Sequence, residues 1–247
     1  MKLAKLLSVL FIIGLFLSGC KSKKNNDDIV VPITTLYNEG ITLLEKKKYK
    51  KAAEEFGRVF YQHPGNEITP QAELMQAYSL FLATQYEEAV DILDTFINLH
   101  PANVDIAYAY YLKALSYYML ISDVKHDHSR TLLAKDSFKD VIDKFPNTKY
   151  AIDASLKIDL VNDHLAAKEM MVGRFYLKKK NPMAAINRFE EVINNYQTTS
   201  HSLEALYRLA ESYMILGLPD EAKKYASILG YNYPESHWYS YAYKLVK

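Results

Sequence analysis

The sequence has few of the features that support a disulfide-rich, nucleic-acid-binding or membrane-spanning protein. It contains one cysteine in 247 residues, so an intramolecular disulfide is excluded. Its formal net charge of +1 offers no basic footprint for a nucleic acid. Only eight glycines and eight prolines interrupt it, and strand-like alternation of apolar and polar residues is scarce. These absences favour an all-α fold.

The first nineteen residues are typical of a secretory signal peptide. Lys2 and Lys5 precede an apolar run over residues 6–17, which is too short to span a bilayer. The run closes with Leu17-Ser18-Gly19-Cys20, which resembles the lipobox of bacterial lipoproteins. We therefore expect residues 1–19 to be removed and Cys20 to carry the lipid. Loss of two lysines would change the formal net charge from +1 to −1.

Residues 20–35 are predicted to form a flexible tether, because they lack helical periodicity and contain Pro32. Three lysines near the anchor suit either lipid headgroups or a solvated spacer, and the acidic pair Asp27 and Asp28 favours the spacer. Lys21, where an aspartate would indicate retention in the inner membrane, resembles the sorting pattern of outer-membrane lipoproteins.

From Leu36 onward a unit recurs five times with amphipathic helical spacing. Four units have two small residues twelve apart, every unit has a further marker four residues later, and four end with or near a proline. The markers are Gly40, Ala52, Phe56 and Pro64; Ala77, Ala89, Leu93 and Pro101; Ala114, Ala134, Phe138 and Pro146; Gly173, Ala185 and Phe189; and Ala210, Ala222, Ala226 and Pro234. This spacing resembles the tetratricopeptide repeat, in which paired helices cross at small residues. A generic helical bundle is the alternative.

Two departures from the pattern predict features of the solenoid. In the third unit about eight extra residues, around Ser122 to Arg130, are expected to form a loop. The fourth unit is expected to begin with a long helix from Lys149 through Lys178. We therefore predict an N-terminal lobe over residues 36–146 and a C-terminal lobe over residues 147–247.

The concave face is the expected ligand surface, because the first helix of each pair lines it in tetratricopeptide folds. Helical spacing selects nine apolar or aromatic residues in the first three units. They are Tyr37, Ile41, Leu44, Leu74, Tyr78, Phe81, Tyr111, Leu115 and Tyr118, and we call them the N-terminal stripe. Such a stripe suits an extended peptide with aromatic or aliphatic side chains, but it is equally typical of a buried core.

The corresponding face of the last two units includes charge, in Arg174 and Glu211. These residues are expected either to pair with each other or to dock a folded partner. Catalytic constellations are missing, and His126-Asp127-His128 is interpreted as a solvated loop and not as a metal site. We predict a binding scaffold that is not an enzyme and has no cofactor or metal.

Several long stretches resemble the BamD family, lipoproteins of the outer-membrane β-barrel assembly machine. They are Tyr108 to Tyr118 (YAYYLKALSYY), Asp163 to Asn181 (DHLAAKEMMVGRFYLKKKN), Ala185 to Thr199 (AINRFEEVINNYQTT) and Leu229 to Tyr239 (LGYNYPESHWY). The resemblance covers the mature chain from lipobox to last repeat. It implies a protein anchored by lipid on the periplasmic face of the outer membrane.

The same resemblance implies the partners. The N-terminal repeats would bind unfolded outer-membrane protein precursors, and the C-terminal repeats would dock on the periplasmic domains of BamA, with accessory Bam lipoproteins as further partners. Arg188 is the candidate contact to BamA, and the alternative is an arginine that covers its own helix. A periplasmic repeat lipoprotein that serves as adaptor for chaperones or peptidoglycan enzymes is the alternative function.

Overall fold

The computed structural model describes residues 30–121 and 128–247, and every regular element within them is an α-helix. The helices are α1 (Ile33–Glu45), α2 (Tyr49–Gln62), α3 (Thr69–Leu82), α4 (Tyr86–Leu99), α5 (Ile106–Met119), α6 (His128–Lys144), α7 (Lys149–Lys178), α8 (Pro182–Asn195), α9 (Ser202–Ile215), α10 (Pro219–Asn232) and α11 (His237–Val246). The predicted all-α class is confirmed. Cys20 and most of the predicted tether lie outside the described residues.

Residues 33–247 form one compact unit built from successive helix pairs. Each helix packs against the next, and first helices of neighbouring repeats also meet, α3 with α5 and α5 with α7. Short turns between the helices make neighbours antiparallel. The predicted tetratricopeptide-repeat solenoid is confirmed.

Small residues allow the two helices of a repeat to approach closely. An added Cβ at Gly40 would lie 2.7 Å from the ring of Phe56, and one at Gly173 would lie 2.4 Å from the ring of Phe189. Both phenylalanines are fully buried. The sequence spacing therefore identified the close crossings of the first and fourth repeats.

The turn inside four of the repeats contains a residue with left-handed backbone, five positions before the second small residue. These residues are Lys47, Thr84, Lys180 and Gly217, with φ angles of 57°, 61°, 58° and 73°. The conformation costs a non-glycine residue on the order of 1 kcal/mol, and only the fifth repeat avoids the cost with glycine. The turn is therefore a property of the repeat geometry.

Two helix boundaries differ by a few residues from the approximate positions expected from the sequence. Helix α1 begins at Ile33, directly after Pro32, whereas the folded part was expected to start near Leu36. Helix α6 begins at His128, so the last three residues of the expected loop are helical. The remainder of that loop, residues 122–127, lies outside the described residues.

Helix α7 extends from Lys149 to Lys178, as predicted, and is 30 residues long. The Thr148 side chain caps it by accepting a hydrogen bond from the Ala151 amide. It packs against α6 of the third repeat and α8 of the fourth. One continuous helix thus contacts both repeats.

The turn that ends the fourth repeat contains no proline and is held by two hydroxyl groups. The Thr199 hydroxyl donates to the Tyr196 carbonyl at 2.7 Å, and the Ser202 hydroxyl lies 2.7 Å from the Gln197 carbonyl. After the fifth repeat, α11 packs against α9 and α10 and buries Ala242. This closing helix was not predicted from the sequence.

Candidate binding surfaces

The N-terminal stripe lies on α1, α3 and α5 and is neither an open surface nor a closed core. Leu74 is buried, with 4% of its surface exposed. The other eight residues are half-buried, namely Tyr37, Ile41, Leu44, Tyr78, Phe81, Tyr111, Leu115 and Tyr118. The stripe is therefore intermediate between the two alternatives that the sequence left open, an exposed peptide-binding surface and a buried core.

Packing beneath the stripe fixes the orientation of its side chains. Tyr78 and Phe81 pack against the core of the second repeat. Tyr111, Leu115 and Tyr118 pack against the larger core that extends into the fourth repeat. Aromatic rings held from below lose little conformational freedom when a ligand covers their upper surface.

Helix α7 reaches one end of the stripe through Asp153. The Tyr111 hydroxyl donates to Asp153 Oδ2 at 2.5 Å, and the ring of Tyr150 lies 5.2 Å from that of Tyr111. Burial, followed by the hydrogen bond to Asp153, raises the pKa of Tyr111 above its ordinary value. The hydroxyl of Tyr111 is thus engaged within the chain, which the sequence did not indicate.

Arg174 and Glu211 do not pair directly, so the expected mutual pair was wrong. Arg174 Nη1 lies 3.0 Å from Glu204 Oε2, and Glu211 Oε2 lies 2.8 Å from Arg208 Nη1. Arg208 Nε is also 3.2 Å from Glu204 Oε1, so the four residues are joined in one chain of ion pairs. We call these four residues the charge network.

At the centre of the charge network, two carboxylates stabilise the charged form of Arg208. Burial lowers the pKa of Arg208, but hydrogen bonds and Coulomb attraction to Glu211 and Glu204 outweigh it and raise the pKa overall. A cavity of about 300 Å³ between α7 and α9 is lined by Arg174, Leu177, Lys178, Arg208, Glu211 and Ile215. Arg174 remains 42% exposed and so keeps room for an external contact.

Arg188 pairs across to the neighbouring helix and does not simply cover its own. Its Nη1 lies 3.1 Å from Oε2 of Glu169 on α7, a carboxylate whose side chain is only 9% exposed. Arg188 itself is 45% exposed. The pair lies in a cavity of about 480 Å³ whose lining also includes Leu132, Tyr176, Asn187, Glu191 and Tyr196.

A second buried carboxylate, Glu73 on α3, was also not predicted from the sequence. Its Oε2 lies 3.1 Å from His100 Nε2, at the end of α4. Burial raises the pKa of Glu73, while attraction and a hydrogen bond from His100 oppose that rise. His100 is the residue that caps the C-terminal end of α4.

Within residues 30–121 and 128–247, no group of three or more histidine, cysteine, aspartate or glutamate side chains is arranged to hold a metal ion. The His126-Asp127-His128 motif falls largely outside these ranges. In the same described part of the chain, no helix is both long and apolar enough to cross a membrane.

Comparison with known proteins identifies the family. The family model described as "Outer membrane lipoprotein" (YfiO) matches residues 31–229. The assembly factor BamD of Rickettsia prowazekii is 84% identical over 247 residues, which is 100% of this chain and 98% of that protein. This chain belongs to the BamD family.

More distant members of the BamD family align over nearly the same length. BamD of Caulobacter vibrioides is 43% identical over 95% of this chain and 78% of its own. BamD of Neisseria meningitidis serogroup A is 28% identical over 94% of this chain and 92% of its own. Among solved structures, the TPR2AB domain of yeast Sti1 matches at 13% identity with a TM-score of 0.45, covering 87% of this chain and 81% of that chain.

Proposed function

We propose that this protein is a lipid-anchored scaffold that holds outer-membrane protein precursors and docks on BamA while the precursors are folded and inserted. The proposal follows from family membership, above all from 84% identity over the whole chain to an outer membrane protein assembly factor. The mechanism would be binding without catalysis, and the protein would need no cofactor.

Precursor binding is assigned to the N-terminal stripe. The half-buried rings of Tyr78 and Tyr118, held by the core beneath them, offer apolar area with polar edges. An extended precursor segment ending in an aromatic residue would cover these rings. The observation that carries this assignment is the partial exposure of eight of the nine stripe residues.

Docking on BamA is assigned to the C-terminal repeats. Arg188 is 45% exposed although it is paired with Glu169, so an acidic residue of BamA would approach a guanidinium that is already oriented. Arg174 and Glu211 would contribute at the rim, from the charge network. Accessory Bam lipoproteins are further candidate partners.

The lipid anchor is assigned to Cys20, the only cysteine in the sequence. Multiple acyl chains on one cysteine anchor a protein stably to a membrane. The protein would thereby be retained on the periplasmic face of the outer membrane. The Cys20→Ser variant should leave the outer-membrane fraction, and normal fractionation would contradict the anchor.

Site-specific photocrosslinking in cells tests both surfaces together. A crosslinker at Tyr78 should capture nascent β-barrel proteins, and one at Arg188 should capture BamA. Val104, 93% exposed in a turn of the N-terminal repeats, and Lys224 on the exposed face of α10 are matched control positions. Capture of chaperones or peptidoglycan enzymes at Tyr78 and Arg188 would overturn the assembly role and favour an adaptor.

A further inference from the structure

Two repeats carry a buried glutamate at the same repeat position. Glu73 lies four residues before Ala77 in the second repeat, and Glu169 lies four residues before Gly173 in the fourth. The glutamates are 3% and 7% exposed. At this position the other three repeats have Leu36, Tyr110 and Leu206. A buried carboxylate is thus a special feature of the second and fourth repeats.

The chain neutralises only one of the two carboxylates with an arginine. In the fourth repeat Arg188, three residues after Ala185, lies 3.1 Å from Glu169. In the second repeat the equivalent position, three residues after Ala89, is Ile92. Glu73 therefore faces an apolar residue where Glu169 faces a guanidinium.

Glu73 is left incompletely hydrogen-bonded as a result. His100 contacts Oε2, whereas Oε1 is buried and finds no hydrogen-bond donor among residues 30–121 and 128–247. Buried polar atoms in native proteins nearly always have a partner, and a charged one without a partner is costly. A further hydrogen-bond donor to Oε1 would therefore stabilise the ionised form of Glu73.

Glu73 also lines two adjoining cavities, of about 150 and 440 Å³, on the outer side of the second repeat. A third cavity of about 390 Å³ continues from them, since it shares Gln76 and Ile92 with the first. Together they form a groove between α2 and α4 with α3 as its floor, which we call the outer groove. Its walls include Phe60, Tyr61, Thr95 and Leu99. Its far end is lined by Lys50 and Glu54 of α2 and by Glu88 and Asp91 of α4.

The composition of the outer groove matches an arginine side chain. The methylene stem of arginine packs well on apolar walls such as Phe60 and Ile92, while its planar guanidinium donates to a carboxylate. The net acidic character of the far end favours a positively charged segment. The repeat symmetry supplies the model for the contact, because Arg188 makes it with Glu169 in this same chain.

We propose that the outer groove binds an arginine side chain presented by an extended segment of a partner protein, with its guanidinium donating to Glu73. On α3 the groove is lined by Glu73 and Gln76 and by no stripe residue, so it is separate from the N-terminal stripe. The proposal does not depend on which client the stripe binds.

Peptide binding to the full-length lipoprotein in detergent tests the proposal. The probe is a fluorescein-labelled Gly-Leu-Arg-Leu-Gly peptide, whose binding is measured by fluorescence anisotropy. The comparison peptide has citrulline, the neutral isostere of arginine, in place of the arginine. The arginine peptide should bind at least about tenfold more tightly, because its hydrogen bonds to carboxylate are charge-assisted. In the wild-type chain the methyl signal of Ile92 should shift on binding, while that of Ile228 on α10 should not.

Two variants should each weaken binding of the arginine peptide at least about tenfold. Glu73→Gln removes the acceptor charge, and Ile92→Arg supplies the chain's own guanidinium to Glu73 and so occupies the site. Asp220→Asn, at an exposed position on α10, is the control and should bind as wild type. Circular dichroism confirms helicity, and Ile92→Arg alone decides the result if Glu73→Gln does not fold.

Absence of binding, equal binding of the citrulline peptide, or unchanged binding by Ile92→Arg or by a folded Glu73→Gln would overturn the proposal. Sedimentation distinguishes one further occupant. If the wild-type chain associates with itself and Glu73→Gln or Ile92→Arg abolishes that association, the groove holds a second copy and the proposal is wrong.

Discussion

Replacing Gly173 by alanine should destabilise the protein, although alanine is the better helix former. Gly173 lies inside α7, where a change to alanine alone would contribute about 1 kcal/mol of stability. The new Cβ would lie 2.4 Å from Cε1 of Phe189, with two further ring atoms within 2.8 Å. A rigid, fully buried ring cannot turn aside as a flexible side chain does.

The expected magnitude follows from these two opposing effects. Overpacking of a dense core costs about 1–3 kcal/mol, and a contact this short belongs in the upper part of that range. After the gain in helix propensity, Gly173→Ala should lower the free energy of unfolding by about 1–2 kcal/mol. Urea unfolding followed by circular dichroism, with hydrogen exchange as a check on two-state behaviour, measures the loss.

The second repeat suggests the compensating change. There the same two positions hold Ala77 and Leu93, both buried, so an alanine is accommodated opposite a leucine. In a Phe189→Leu background, Gly173→Ala should therefore become neutral or stabilising, giving a coupling energy of about 1 kcal/mol or more. Stabilisation of the wild-type protein by Gly173→Ala, by the amount that helix propensity alone predicts, would contradict this expectation.

Two further predictions concern charged groups. Because burial raises the pKa of Glu73, ionisation of Glu73 lowers the free energy of unfolding as pH rises above about 4.5. Glu73→Gln should therefore raise the urea midpoint at neutral pH and lose this advantage at lower pH. A variant that is less stable than wild type at neutral pH would contradict this. Arg208→Met should lower the free energy of unfolding by about 1–2 kcal/mol, because it breaks the contacts to Glu204 and Glu211. The control Lys223→Met, which breaks an exposed 3.9 Å pair to Asp220, should change it by less than about 0.5 kcal/mol. Equal losses in urea unfolding would count against the charge network.

The sequence predicted those parts of the fold that depend on local periodicity. The spacing of Gly40, Ala52 and Phe56 reports a contact between adjacent helices, so twelve-and-four spacing was sufficient to find it. The extent of α7 was likewise readable because apolar spacing continues from Lys149 to Lys178. The left-handed turns were not predicted, since lysine and threonine occupy three of the four positions where glycine would have indicated them.

The charged contacts could not be predicted because they depend on how successive helices are rotated about one another. Arg188 and Glu169 are 19 residues apart, and Glu73 and His100 are 27 apart. No local pattern specifies that these side chains meet. The degree of burial of the N-terminal stripe could not be predicted for a different reason. An apolar helix face has the same sequence pattern whether it is fully or partly covered, so only the three-dimensional packing shows that eight of its residues are half-buried.

The continuous helix α7 has a consequence for how the protein engages a large assembly. Thirty helical residues extend over about 45 Å, so Asp153, which contacts the third repeat, and Gly173, which contacts the fourth, are joined without a loop that could act as a hinge. A ligand on the early repeats and a partner on the late repeats would then be held at a fixed separation. Two binding sites on one chain strengthen each other's binding only when their separation matches that of their targets. Here the number of residues in α7 sets that separation.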